Sequence, residues 1–178
     1  MPFTPLHMGP GLLLKAVLHG SFSLLVFGWA QILMDLQPLF VLISGAGHLH
    51  GFSHTYLGAA GLGVIAALSG KYLAEFGLRR IDITPYGGSE IVWRVAILSA
   101  FIGTFSHVAL DSIMHTDMAP YVPLSDRNHL LGIVSIDVLH KICIYTGLVG
   151  AAAFFVLERL AVKRREEVKN LSVRGRKQ

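Results

Sequence analysis

A run of apolar segments interrupted by seven ionisable side chains, all His or Asp, constrains this chain most: His7, Asp35, His50, His54, His107, Asp111 and His115. An ionisable group at membrane depth is costly and persists mainly where it pairs, coordinates or catalyses. His and Asp are the residue types of a metal site. His107, Asp111 and His115 recur at i, i+4 and i+8. At 3.6 residues per turn, that spacing keeps them on one broad helix face. His50 and His54 repeat the one-turn spacing on another segment.

The 178 residues are enough for one domain. They are 53% hydrophobic and only 15% charged, where a soluble domain carries about 25% charged residues. With a mean hydropathy of +0.58, the balance points to the bilayer. The formal net charge of +4 is local to the segment from Lys163 to Lys177. A basic tail after a hydrophobic helix is more often a topology signal than a nucleic-acid arm, so no nucleic-acid partner is expected. The chain divides into a membrane-embedded region, 1–162, and a basic cytoplasmic tail, 163–178. Cys143 is the only cysteine, which excludes an internal disulfide and a thiolate zinc cluster. The opening, Met1 to Pro10, has two early prolines and no basic stretch, and is not expected to be a cleaved signal peptide.

Patterning predicts an all-α membrane bundle of four long spans and one short leading helix. The short helix covers Gly11 to His19, with Pro10 near its start. Ser21 to Ile43 is a full-length span, carrying Asp35 and a Pro38 expected to kink it. Thr55 to Leu73 is rich in Gly and Ala, which suits close packing in lipid. Ile91 to His115 opens on Trp93 and Arg94 as interfacial anchors. Leu130 to Leu160 is the last span. Leu78 to Glu90, with Arg79, Arg80, a Thr-Pro and a Gly-Gly, reads as a polar loop. Met118 to Asn128 holds two prolines and Ser125-Asp126, read as the cap of the last helix.

The ionisable residues fall at alternating ends of successive helices: His7 at a start, Asp35 towards an end, His50 and His54 at a start, His107 to His115 at an end. Antiparallel helices alternate in direction, so all of them converge on one side of the membrane. Lys15, Arg79, Arg80 and the Lys163–Lys169 cluster fall on the other side. Lys and Arg near span ends favour the cytoplasm. The expected placement is the cell (inner) membrane, with the N-terminus outside and the C-terminus inside.

His107 and Asp111 offer an imidazole nitrogen and a carboxylate one turn apart. A carboxylate can bridge two metals, and such a pair activates water and polarises an ester or phosphoryl oxygen. The donor set suits zinc, with manganese or iron as alternatives. His115 has turned about 80° from His107 and could reach a second metal or a substrate. Plainer readings stand beside this one. A lone helical His usually makes one hydrogen bond in a core, and His19 fits that description. His48 fits a loop residue. Asp137 and Lys141, at i and i+4, read as an ion pair.

Three islands resemble the YdjM-like membrane-bound metal-dependent hydrolases. Leu49-His-Gly-Phe-Ser-His54-Thr is similar to their His-Arg-Gly-Phe-Thr-His-Ser signature, with Leu49 in place of the first His. Ser106-His107-Val-Ala-Leu-Asp111 looks like their Ser-His-x-x-x-Asp segment, and Phe3-Thr-Pro-Leu-His7-Met-Gly like their early His motif. The resemblance implies a helical fold distantly similar to zinc-dependent phospholipase C, with Asp111 bridging metals. No His-x-x-x-Glu pair is present, and His50-x-x-x-His54 stands where that pair would serve, so two or three metal ions are expected.

The expected function is therefore a membrane-embedded hydrolase acting on a phosphoester or ester of a lipid-like molecule by metal-activated water. The expected ligands are His7, Asp35, His54, His107 and Asp111, together with His50 and His115. Asp35 or Asp111 doubles as general base. Arg127 and His129 are expected to hold an anionic head group at the N-terminus of the last helix. Membrane lipid is the expected partner. The alternative is a metal-binding or ion-transporting membrane protein without hydrolytic activity, in which Asp137, His140 and Lys141 extend a polar path inward.

Overall fold

A computed structural model describes residues 5–81 and 89–175. Among them the chain is all-helical: α1 (Met8–Leu18), α2 (Leu24–Ser44), α3 (Tyr56–Ile81), α4 (Trp93–Met114) and α5 (Ile136–Gly175). Short 3-10 turns lie at Pro5–His7, His19–Ser21 and Phe52–His54. Helices α2, α3 and α4, and α5 over Ile136–Val168, are long and apolar enough to cross a membrane. The 21 residues of α2, at 1.5 Å each, extend about 31 Å, the thickness of a bilayer's hydrocarbon core. The 11 residues of α1 cannot span.

Local chemistry sets the helix ends. Ser23 caps α2, its hydroxyl accepting from Val26 N, and Gly45 closes the helix in the left-handed region at φ 69°. Thr55 Oγ1 accepts from Gly58 N at 2.9 Å and starts α3. Ser135 plays that part for α5, accepting from Val138 N at 3.4 Å. The cap expected at Ser125-Asp126 is therefore displaced to Ser135, because the segment between turns back over α4 instead of entering a helix. Asn128 Nδ2 donates to Ser112 O at 2.8 Å, and Gly132 N to Ile113 O at 3.1 Å. Other bounds shift too. Helix α3 runs on to Ile81, taking in Arg79 and Arg80 of the expected loop, and α5 continues to Gly175 through most of the expected tail. The Thr-Pro and Gly-Gly of that loop, Phe3 and Thr4 of the early motif, and the last residues of the tail lie outside the described residues.

Helices α2, α3 and α4 build the core. Val26, Ala30, Ala66, Ala67, Ala74, Ile91, Ala96 and Ala100 form one buried group, and Met34, Ala59, Val108 and Met118 another. Small side chains let the helices approach closely, the usual basis of helix packing in lipid. At Gly103 an added Cβ would stand 2.8 Å from that of Ala30. Polar clamps fix the register away from the His and Asp residues. Trp29 Nε1 donates to Ser69 Oγ at 2.8 Å. Buried Glu75 pairs with Lys71 and accepts from Ile91 N at 2.8 Å. The outward faces carry Leu25, Ile32, Phe40, Leu57, Ile65, Phe76, Ile97 and many like them, all exposed. Such a surface suits lipid and not water.

Helices α1 and α5 form a second unit, packed chiefly on each other. A Cβ at Gly9 would collide with the Cys143 carbonyl oxygen, and one at Gly150 with the Leu13 backbone. Lys15 Nζ seals the far end of α1 by donating to His19 O and Phe22 O, each at 2.8 Å. His19 Nε2 lies 3.6 Å from Glu158 on α5, an interface role of the plain kind. Asp137 and Lys141 pair at 2.6 Å on an exposed face of α5.

Candidate metal centre

Four helical segments deliver side chains to one point. His107 and Asp111, one turn apart on α4, are 0% and 4% exposed. The His107 Nε2 atom stands 3.1 Å from Asp111 Oδ2 and 3.5 Å from Asp35 Oδ1 on α2. The turn before α3 brings His54 Nε2 to 3.7 Å from Asp111 Oδ2. The turn before α1 brings His7 Nε2 to 3.3 Å from Asp111 Oδ1, with the His7 ring stacked on that of His107 at 4.5 Å. His115, just past α4, reaches 3.8 Å from Asp111 Oδ1, and the His50 ring stacks on it at 4.3 Å.

Each imidazole has two nitrogens, and what one of them binds fixes the other. Gln31 Nε2 donates to Gly103 O at 3.1 Å, which turns its Oε1 towards His107 Nδ1 at 2.7 Å. An amide oxygen only accepts, so Nδ1 carries the proton and Nε2 presents a lone pair. His54 follows the same logic through one more link. Gln37 Nε2 donates to His48 O at 3.3 Å, Gln37 Oε1 accepts from the Ser53 hydroxyl, and Ser53 Oγ lies 2.9 Å from His54 Nδ1. His50 Nδ1 lies 2.9 Å from both oxygens of Asp117. Burial pushes the His54 imidazole down to about 3, with the neighbouring His107 acting the same way, so the ring is neutral. Partial burial opposes the charge on Asp117, yet the His50 ring beside it holds its carboxyl below the usual carboxylate range.

Nitrogens directed in this way need a partner. Nε2 of His54 and His107, and both ring nitrogens of His7, are buried without a hydrogen bond. Leaving a buried polar atom unsatisfied is costly. A metal ion would resolve it. Ligand atoms at 2.0–2.1 Å from a tetrahedral zinc are about 3.3 Å apart, and the separations here run from 3.1 to 3.8 Å. His7–His107–Asp111, Asp35–His54–His107 and His50–Asp111–His115 each gather their donor atoms within 4.8 Å. The first two share His107, which has one free nitrogen, and so make a single inner group. The third is an outer group, joined to it through Asp111. The two carboxylate oxygens of Asp111 face different imidazoles, as a bridging ligand requires. These clusters could hold a metal ion.

A cavity of about 340 Å³ opens on the outer group. Asp35, Asp111, His50, His115 and Asp117 form its polar side, and Pro38, Leu42 and Leu49 its apolar side.

All seven His and Asp residues singled out in the sequence meet here. Arg127 and His129 do not. Both are exposed, neither lines the cavity, and the last helix starts at Ile136, so they do not stand at its N-terminus. His48 is exposed and contributes its carbonyl oxygen. Gln31, Gln37, Ser53 and Asp117 were missed by the sequence reading. Gln31 had a usable signal, being polar in an apolar span and one turn before Asp35. Asp117 had none, since only the turn after α4 brings it back to His50. The chain matches no protein-family model, no curated protein and no solved structure.

Proposed function

We propose that this protein is a membrane-embedded, metal-dependent hydrolase of a phosphoester or ester carried on a lipid-like molecule. The observation that carries the reading is the set of buried, unsatisfied imidazole nitrogens of His7, His54 and His107 gathered on Asp111. His7, Asp35, His54, His107 and Asp111 would hold one divalent ion, and His50, His115 and Asp111 another. Zinc suits these donors best, with manganese or iron next. A metal so held polarises an ester or phosphoryl oxygen and acidifies water.

The chain's own groups supply the rest. Asp35 borders both the cluster and the cavity, so its carboxylate is the proton acceptor. Asp111 is surrounded by imidazoles on both oxygens and serves to hold the cluster. Pro38, Leu42 and Leu49 give an acyl or prenyl chain an apolar wall beside the polar groups. Exposed apolar helix faces on every side of the bundle support a substrate drawn from the bilayer. The resemblance to YdjM-like hydrolases agrees with this reading. We place the protein in the inner membrane with the site facing outward, on the distribution of Lys and Arg along the chain.

A transport path would need polar groups continuing beyond the cluster. Asp137 and Lys141 instead satisfy each other on an exposed face, which favours the enzyme. The test is a panel of phosphodiester and carboxylester lipids offered to purified protein in detergent. Turnover is expected that a chelator abolishes, metal restores and Asp35→Asn removes. Absence of metal-dependent turnover across the panel would refute the reading.

A further inference from the structure

The inner and outer groups differ in what surrounds them. The inner residues His7, Asp35, His54, His107 and Asp111 are 5% exposed or less. The imidazoles of His107 and His54 are oriented by neutral partners, Gln31 and Ser53. In the outer group the His115 side chain is 25% exposed and that of Asp117 51%. Here His50 is backed by a carboxylate, which holds the Nδ1 proton through both its oxygens at 2.9 Å. His50, His115 and Asp117 all line the cavity, whereas His7, His54 and His107 do not.

We infer that the two groups are unequal metal positions, a retained inner one and an exchangeable outer one, and that Asp117 is the positioning residue that makes the outer one. The inference rests on the metal-binding half of the proposed function. A carboxylate on Nδ1 fixes the ring orientation and raises the basicity of Nε2, and loss of such a partner typically costs 10–100-fold in metal affinity. Stacking of His50 on His115 at 4.3 Å keeps the two rings side by side. Removing the Asp117 carboxylate leaves Nδ1 free to take water as partner and the ring free to change tautomer, so Nε2 is no longer committed to the cavity. An ion at this position has an open route to solvent through the cavity, whereas the inner position meets the cavity only at Asp35 and Asp111, with its three imidazoles behind them.

The experiment is zinc titration of full-length protein in detergent, with metal content measured before and after a mild chelator. Two equivalents are expected, one of which the chelator removes. Asp117→Ala should weaken the removable equivalent about 10–100-fold and leave the retained one in place. Asp117→Asn, which keeps an acceptor for Nδ1, should recover most of that loss. His50→Ala should cost at least as much at that position, and Asp117→Ala added to it should have no further effect. The inference is overturned if both equivalents leave together, if Asp117→Ala weakens both alike, or if no more than one equivalent binds. Two unequal equivalents in a protein that hydrolyses nothing would sustain it while refuting the hydrolase reading.

Discussion

Gln31 Oε1 and His107 Nδ1 lie 2.7 Å apart, and the amide cannot turn over because its Nε2 donates to Gly103 O. This contact decides which nitrogen of His107 faces Asp111. Gln31→Leu should lower zinc affinity about 10–100-fold, and Gln31→Glu, which keeps an acceptor, should retain most of it. Zinc titration of the two variants checks this. Equal affinity in wild type and Gln31→Leu would show that the amide does not set the tautomer.

Loss of a direct ligand should exceed that. His107→Ala and Asp111→Ala are each expected to reduce bound metal at least about tenfold more than Gln31→Leu, since the latter only orients a ligand. Metal analysis of purified variants gives the answer. Full occupancy in either one would exclude that residue from coordination.

His54 makes the metal-free protein acid-sensitive. The imidazole has an ordinary value near 6.5 when unfolded and is held down at about 3 when folded. The folded state thus resists taking up that proton. Its contribution to stability is complete above about pH 6.5 and is lost as pH falls from there towards 3. The melting temperature of metal-free protein should fall between pH 7 and pH 4, and His54→Gln should flatten that slope. Parallel slopes would remove His54 as the cause.

Orientation can be read by thiol labelling. Leu124 is 93% exposed in the loop after α4, Glu167 is exposed near the end of α5, and Cys143 is buried. With Cys143→Ser as background, Leu124→Cys should react with an impermeant reagent in intact cells and Glu167→Cys should not. The reverse pattern would invert the proposed topology without touching the metal centre.

The α1–α5 seam offers a test remote from the metal. Gly9→Val places side-chain atoms against the Cys143 carbonyl, and overpacking of this kind costs about 1–3 kcal/mol. Since His7 precedes α1 directly, the same change should draw its ring away from Asp111 and weaken metal binding. A stable protein with unchanged zinc affinity would argue that His7 is held independently of the seam.

The sequence carried the helices and the convergence of His and Asp because both follow from spacing. Apolar runs of span length are a one-dimensional signal, and alternation of helix direction turns positions along the chain into a common side. His7 could be placed near Asp111 on that basis alone. The orienting contacts could not be found this way. Gln37, its amide donating to the His48 carbonyl in the loop between α2 and α3, reaches His54 through Ser53, and such a path depends on how that loop folds back. The expected place of Arg127 and His129 at the N-terminus of the last helix is corrected for a related reason. Ser125-Asp126 has the composition of a cap, yet the Ser125 hydroxyl accepts from Arg127 N within a turn, and Ser135 starts the helix.

Helix α5 meets the rest of the protein mainly through α1 and the turn that holds His7. It also leaves the ribosome after α1, α2, α3 and α4. Asp35, His54, His107 and Asp111 can all be assembled by α2, α3 and α4 while the chain is still being made. His7 precedes them in the chain, and α1, which follows it directly, lacks its main packing partner until α5 arrives. The centre is therefore completed when two segments far apart in the chain meet, and the order of synthesis itself separates a half-built site from a finished one.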